Sequence, residues 1–373
     1  MTIYIRFLVL PFLIILALWA SVLGHYWIWV YLFFLNGFII LGDAFLGKDS
    51  STPNYRYPQI LTVFLYLNFP LSLLLLTTSA YMTGNETIPI FEKISQVLFN
   101  TDITYNRNQT PWWCFIGYVW VVGLLISSGG TLTGHELVHH KKKKWDVIVG
   151  NWCLALSWDC AFGIEHVHGH HKNVGTKIDP ATAQEGESPF RFFVKASSQE
   201  HQDAWDIELT RLKRRGISFF SFQNQMLKGY VRSGLITFWV FFVGGLPGVF
   251  LFLFIVVASK LVLEMVNYME HYGLVRVPGT PVESRHSWNS TKRLSSLLLY
   301  NLTRHSHHHE KGSLEFWKLK PYTKAPQMPY GYLTTLYFVL FFPEKYRKIM
   351  KQKLDDWFVR FASQDEKKLR PVL

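Results

Sequence analysis

Apolar stretches long enough to cross a bilayer recur along this chain, and they restrict its fold more than any other feature. Residues 3–23 (IYIRFLVLPFLIILALWASVL) carry a single charge, Arg6, and about 20 consecutive apolar residues suffice to cross the hydrocarbon core as a helix. A cleavable signal peptide would lead through a small-residue site into a polar mature chain. Here a second apolar stretch, Tyr26–Leu46, begins at once, so the two are expected to pair as a helical hairpin. Charged residues make up only 17% of the sequence and hydrophobic residues 49%, whereas a soluble domain carries about 25% charged residues. The aromatic share of 17% suits a protein whose solvent is partly lipid, because Trp and Tyr favour the membrane interface. Disorder is excluded by the same numbers. Three cysteines, Cys114, Cys153 and Cys160, exclude a disulfide scaffold. They are also too few for a fused four-thiolate iron centre, so any electron carrier has to be a separate chain.

A third span is expected over about Ile60–Tyr81 and a fourth from Trp112 into Thr133, where it runs directly into His135. The run 147–163 contains Asn151, Ser157 and Asp159, which are costly in lipid. It also has histidines at both ends, which a single crossing would put on opposite faces, so it reads as an in-plane or re-entrant helix. Residues 184–231 are polar and basic, with RLKRRG at 211–216. The apolar run 232–272 has room for two spans, 232–250 and 252–272, and Gly244-Gly245-Leu246-Pro247-Gly248 between them is a turn signal. The expected fold is therefore all-α and membrane-embedded. It is one domain (1–373) of about six transmembrane helices in three hairpins, with 135–231 and 273–373 on the side of both termini. The net charge of +12 would suit nucleic acid in a soluble protein. Alongside such runs it reads instead as positive-inside topology, which makes the side bearing Lys141–Lys144 and Arg211–Arg215 cytosolic. Lys260 and Glu264, one turn apart inside the last span, read as a structural ion pair. Tyr330–Phe342 is too short to span and is expected in the interface.

Twelve of the 15 histidines fall in four clusters. In Gly134-His135-Glu136-Leu137-Val138-His139-His140, His135 and His139 share a helix face. In Glu165-His166-Val167-His168-Gly169-His170-His171, His166 and His170 are expected on one face, with His171 about 100° away. His271 follows Asn267-Tyr268-Met269-Glu270, and in Arg304-His305-Ser306-His307-His308-His309 the residues His305, His308 and His309 are helical neighbours. Ionisable side chains at membrane depth are expensive and mark function, and imidazole clusters at this spacing bind metal. Imidazole suits iron, copper or zinc. His-Glu-Leu-Val-His matches the H-E-x-x-H zinc protease pattern, but one zinc would leave most of the histidines unused, whereas two ions employ them. Ligating histidines usually donate their second N–H to a carboxylate or carbonyl; Glu136, Glu165, Glu270, Asp159 and Asp179 are the candidates.

In this order, the motifs GHELVHHK (134–141), EHVHGHHKNVGTKIDPATAQEGES (165–188), NYMEHYGL (267–274), HSWNS (286–290), RHSHHH (304–309) and APQMP (325–329) resemble the membrane-bound di-iron fatty acid desaturases and hydroxylases. Among these the sequence is most similar to the alkane 1-monooxygenase and xylene monooxygenase group. The resemblance implies two non-haem iron ions and O2 as co-substrate. The implied ligands are His135, His139, His166, His170, His171, His271, His305, His308 and His309, with no catalytic side chain beyond them. His140, His168 and His307 stand where the family pattern shows other residues and are expected in outer or surface roles, as is His286.

The implied reaction is terminal hydroxylation of a medium-chain hydrocarbon, alkane to 1-alkanol. Desaturation or decarboxylation of a fatty acid, or hydroxylation of an alkylaromatic methyl group, would use the same centre. A rubredoxin or ferredoxin with its reductase is the implied electron donor, and a bacterial inner membrane the implied location. Leu35, Phe38 and Ile39 of the second span are candidate walls for a substrate tunnel.

Overall fold

The computed structural model describes residues 2–370 and is entirely helical, with no strand among them. Five helices are long and apolar enough to cross a membrane: Ile3–Leu23, Trp27–Phe45, Gln59–Thr83, Cys114–Val138 and Gln225–His271. Their outer faces carry large apolar side chains such as Phe33, Phe45, Phe238 and Leu246, which are more than 60% exposed. A soluble monomer does not display such a surface, and a lipid-embedded one must.

The last of the five doubles back. Gly245 has φ 60° and ψ −155°, with Pro247 just beyond it. This is a left-handed conformation that glycine adopts without penalty, and proline's missing N–H reinforces the break. A Cβ on Gly248 would lie 3.3 Å from the Val240 carbonyl oxygen, although eight residues of straight helix would separate the two by about 12 Å. Further down, Trp158 donates to Thr237 at 3.0 Å while its neighbour Asp159 accepts from Lys260 at 3.3 Å. Residues 237 and 260 are therefore level on two antiparallel arms, reversing at the Gly/Pro turn the sequence signals. The first arm begins at Gln225, seven residues before its expected start. Gly244 packs directly on the Ala80 carbonyl of the third span, so backbones meet where a side chain would keep them apart.

The fourth span passes through a π-helical turn, Ser127–Leu132, before delivering His135. Helix Lys144–Ala155 then runs back along it. Gly134 and Gly150 face one another, and a Cβ on either would come within 2.9 and 3.1 Å of the other's carbonyl oxygen. Thr131 and Ser157 hydroxyls meet at 2.8 Å. At Trp158 the backbone turns through φ 55°, and residues 162–173 return to the histidine end. The run 147–163 thus doubles back at Trp158 and does not continue as one straight helix.

Helix Pro189–Arg214 packs on the long hairpin and on the returning segment. Helix Tyr332–Phe341 lies between the second span and the long hairpin, and its Phe341 ring is 6.3 Å from Trp120. Leu35 and Ile39 are buried in the helix core, and Phe38 stacks on Phe34 at 5.9 Å.

Candidate metal centre

Four separate helical segments bring nine histidines to one place. His135, His139, His166, His171 and His308 form one group and His170, His271 and His309 another; His305 joins His271 and Glu270. Within each grouping the candidate ligand atoms lie within 4.8 Å of one another. The closest approaches are between Nε2 atoms: His135–His308 3.1 Å, His139–His135 3.2 Å, His166–His171 3.1 Å, His305–His271 3.2 Å and His309–His305 2.9 Å.

The division corrects the helical reading of the second cluster. His166–His170 is a π-turn, and its wider i→i+5 register aligns His171 with His166. His170, expected beside His166, turns to the other group. In the fourth cluster the short helix His305–Glu310 sends His308 to the first group while His305 and His309 stay with the second.

These atoms fit a metal. With metal–nitrogen bonds of about 2.0–2.1 Å, neighbouring ligands on one ion stand roughly 2.8–3.4 Å apart, and the closest nitrogen pairs here lie at 2.9–3.2 Å. Burial, reinforced by neighbouring imidazoles, holds His139, His166, His171, His305 and His309 well below the usual histidine range, so they are neutral and present lone pairs. His170 differs in charge, because burial is outweighed by Asp179, which holds its ring above the usual histidine range, but its geometry also fits a metal. Its Nδ1 lies 2.9 Å from Asp179 Oδ2, while its Nε2 is buried without a partner. A neutral ring that donates through Nδ1 has an acceptor lone pair at Nε2, and here that pair faces the other imidazoles.

The surrounding contacts are uneven. Asp179 also accepts from Thr182 Oγ1 at 2.5 Å and from the Ala181 N–H at 3.2 Å, which fixes its carboxylate. His271 Nδ1 donates to the His286 carbonyl at 3.2 Å. The His286 side chain itself is held by Glu366 at 2.7 Å and by the Glu283 N–H at 3.0 Å. Glu270 Oε1 lies 3.0 Å from His305 Nδ1 but is misaligned for a hydrogen bond.

Other candidates face elsewhere. Glu136 accepts the Phe316 N–H at 2.7 Å. Glu165 is buried with Oε1 unpartnered, and Asp159 accepts from Lys260. His168 is exposed; His307 accepts the Lys320 N–H at 2.8 Å and packs near Tyr322.

Three further supports flank the centre, of which only His140 is named from the sequence, in an outer role. His140 Nδ1 lies 2.6 Å from Asp146, which also accepts from Tyr66 at 2.5 Å. Arg304, 1% exposed, donates to the carbonyls of Leu319, Asp49 and Ser51 and so anchors the start of the His305 helix. Asn289 accepts the Ser306 N–H at 3.4 Å and donates to the Pro321 carbonyl at 2.8 Å. The only signal for the last two is their position inside the quoted motifs. A cleft of about 570 Å³ lined by Lys141–Lys143, Gly312, Ser313 and Glu315 reaches His139 and His171.

Comparison with known proteins agrees with this site. Residues 110–338, which contain every histidine of the centre, match the fatty acid desaturase family. The chain is 32% identical over 346 residues to alkane 1-monooxygenase 1 of Alcanivorax borkumensis, covering 89% of this chain and 78% of that protein. It is 29% identical to alkane 1-monooxygenase 2 of Pseudomonas aeruginosa, covering 92% and 89%. It is 27% identical to the xylene/toluene monooxygenase hydroxylase component XylM of Pseudomonas putida, covering 98% and 93%. With the family model matched over the segment that holds the histidine centre, and relatives matched over most of their length, the chain belongs to the fatty acid desaturase family, in its alkane 1-monooxygenase group.

Proposed function

We propose that this protein hydroxylates the terminal methyl group of a medium-chain hydrocarbon with O2, at two iron ions held by the nine histidines. The observation that carries the reading is the pair of adjoining imidazole groups. Five nitrogens meet in one and four in the other, more than one ion takes and enough for two. Iron supplies the oxygen-activating chemistry, which no side chain can, because an alkane C–H bond offers neither acid nor base a handle. The chain's own residues do the rest. His135, His139, His166, His171 and His308 would hold one ion, and His170, His271, His305 and His309 the other. Asp179 and the His286 carbonyl fix the tautomers of His170 and His271. Packing of the helices around the rings excludes water.

The same reading places six crossings in the membrane, with the long hairpin contributing two, and the histidine end on the cytoplasmic side of a bacterial inner membrane. Lys141–Lys143 border the cleft that reaches His139 and His171, a positive approach for an acidic iron–sulfur carrier such as a rubredoxin or ferredoxin supplied by its reductase.

Two alternatives lose support. A fatty acid substrate wants a cation for its carboxylate. Lys260, the intramembrane candidate, is already contacted by Asp159, Glu200 and Glu264. A zinc protease wants Glu136 as its base, but Glu136 is engaged by the Phe316 N–H. The test is product analysis by gas chromatography–mass spectrometry, with membranes containing the protein and a rubredoxin or ferredoxin system. A 1-alkanol from a medium-chain alkane is expected. A terminal alkene from a fatty acid, with the alkane untouched, would overturn the substrate assignment.

A further inference from the structure

Beside the histidine centre lies a second buried cluster of charge. Lys260 Nζ is 2.7 Å from Glu264 Oε1, 2.9 Å from Glu200 Oε2 and 3.3 Å from Asp159 Oδ1. Asn267 Nδ2 donates to the same two glutamates, 3.2 Å from Glu264 Oε2 and 3.4 Å from Glu200 Oε1. Asp159, Glu200 and Glu264 are 5%, 4% and 0% exposed. Three carboxylates thus surround one ammonium, in a place where unpaired charge is prohibitively costly. Full ionisation would leave a net charge of −2. Glu200 and Glu264 both contact Lys260 Nζ and Asn267 Nδ2, so their carboxyls face one another across the same two donors, and one proton held between them would relieve part of that charge. Burial, and then the neighbouring Glu264, hold the Glu200 carboxyl well above the ordinary range; burial does the same for Asp159.

An ion pair alone would need one carboxylate, so the surplus calls for a reason. Glu264 and Asn267 precede His271 on one helix by two turns and by about one. That puts the carboxyl pair about 10 Å along the axis from a histidine of the centre. The other groups facing the cluster are Glu165 from the returning segment and His201 and Asp203 from helix Pro189–Arg214. His201 is exposed and bonded to Tyr230, and the Lys260 side chain is 18% exposed. The cluster therefore reaches from the outer surface of that helix to the flank of the centre.

We propose that the Glu200–Glu264 carboxyl pair, poised by Lys260 and Asp159, is the proton source for oxygen reduction at the histidine centre. The inference rests on the oxygenase reading above. That reaction, R–H + O2 + 2e⁻ + 2H⁺ → R–OH + H2O, places one oxygen atom in the alcohol and the other in water. The electrons come from the external iron–sulfur carrier, and two protons must enter the site from outside. The shared proton leaves the pair toward the centre and is replaced from the His201–Asp203 surface. Glu200 and Glu264 act through proton movement and touch neither substrate nor iron.

The test compares wild type, Glu264→Gln and Glu200→Gln in lipid nanodiscs with the electron-transfer proteins. Iron content, alkanol formation and the solvent deuterium isotope effect are measured on each. Wild type that forms no alkanol overturns the oxygenase reading, whatever the variants do. If wild type is active, both variants are expected to keep wild-type iron, to turn over about a hundredfold more slowly, the scale of general acid–base catalysis, and to show an enlarged solvent isotope effect. Unchanged turnover and isotope effect at full iron content would overturn the relay. So would activity lost strictly in proportion to iron in both variants, since the cluster would then be only a brace.

Discussion

The two halves of the histidine centre are built differently. In the half containing His170, His271, His305 and His309, Asp179 orients His170 and the His286 carbonyl orients His271, while Glu270 stands beside His305. In the half containing His135, His139, His166, His171 and His308, no Nδ1 bonds to a carboxylate or carbonyl among the described residues, and those of His135 and His308 are buried without partners. Packing orients these rings instead. Phe162 stacks on His166 at 4.4 Å with 13° between planes, and a Cβ on Gly312 would come within 2.8 Å of His171. Hydrogen bonds thus preorganise two of the four rings in one half, where the Nδ1 atoms of His305 and His309 are buried without partners, and ring packing orients all five in the other. Under the two-ion reading, the packed half would depend more on a bound ion to fix ring orientation.

The largest test of this contrast is removal of a ligand. His171→Ala is expected to abolish turnover and to empty the packed half, whereas His309→Ala should abolish turnover while emptying the hydrogen-bonded half. Iron analysis should give about one atom per chain in each variant, and a Mössbauer spectrum that differs between the two variants separates the halves. Chelation of the wild-type protein should lower its Tm by about 10 °C, taking about 4 kcal/mol for a tightly held ion and 2–4 °C per kcal/mol.

Asp179→Asn should follow, with activity and iron affinity falling about 10- to 100-fold through loss of the His170 half alone. Phe162→Leu probes the packed half. The lost ring contact is worth about 1 kcal/mol, so roughly a fivefold loss of kcat/KM is expected at near-normal iron content. If Phe162→Leu costs more than Asp179→Asn, the contrast is reversed. Smallest is Glu136→Gln. An amide oxygen still accepts the Phe316 N–H, and the difference between the two acceptors is on the order of 1 kcal/mol. Activity should stay within about fivefold, whereas a catalytic base would be lost outright.

Much of this was legible in the sequence because it depends on properties a linear pattern carries. Span length reports hydrocarbon thickness, and Gly244–Gly248 reports a reversal. Histidines one turn apart report a shared face. The π-turn at 166–170 was not legible. One extra residue per turn leaves no compositional trace, yet it moved His171 beside His166 and His170 away from it. Glu136 and Glu165, adjacent to ligands in sequence, were expected to brace them. Helix geometry points neighbouring side chains about 100° apart, so Glu136 met the 316 backbone instead. Asp179, also named from the sequence, does brace His170, while other braces come from afar or through backbone atoms. Glu366 holds His286 from 80 residues away, and the atom that His286 offers His271 is a carbonyl oxygen. Lys260 and Glu264 form the expected ion pair, but the two further carboxylates lie on other elements, where only the tertiary fold unites them.

The central claim, two ions shared between a hydrogen-bonded half and a packed half, is tested most directly by metal analysis of the purified full chain beside its protein concentration. About two iron atoms per chain in wild type, and about one in Asp179→Asn, are predicted. A single zinc per chain with no iron, or an Asp179→Asn variant that keeps both irons, would contradict the account.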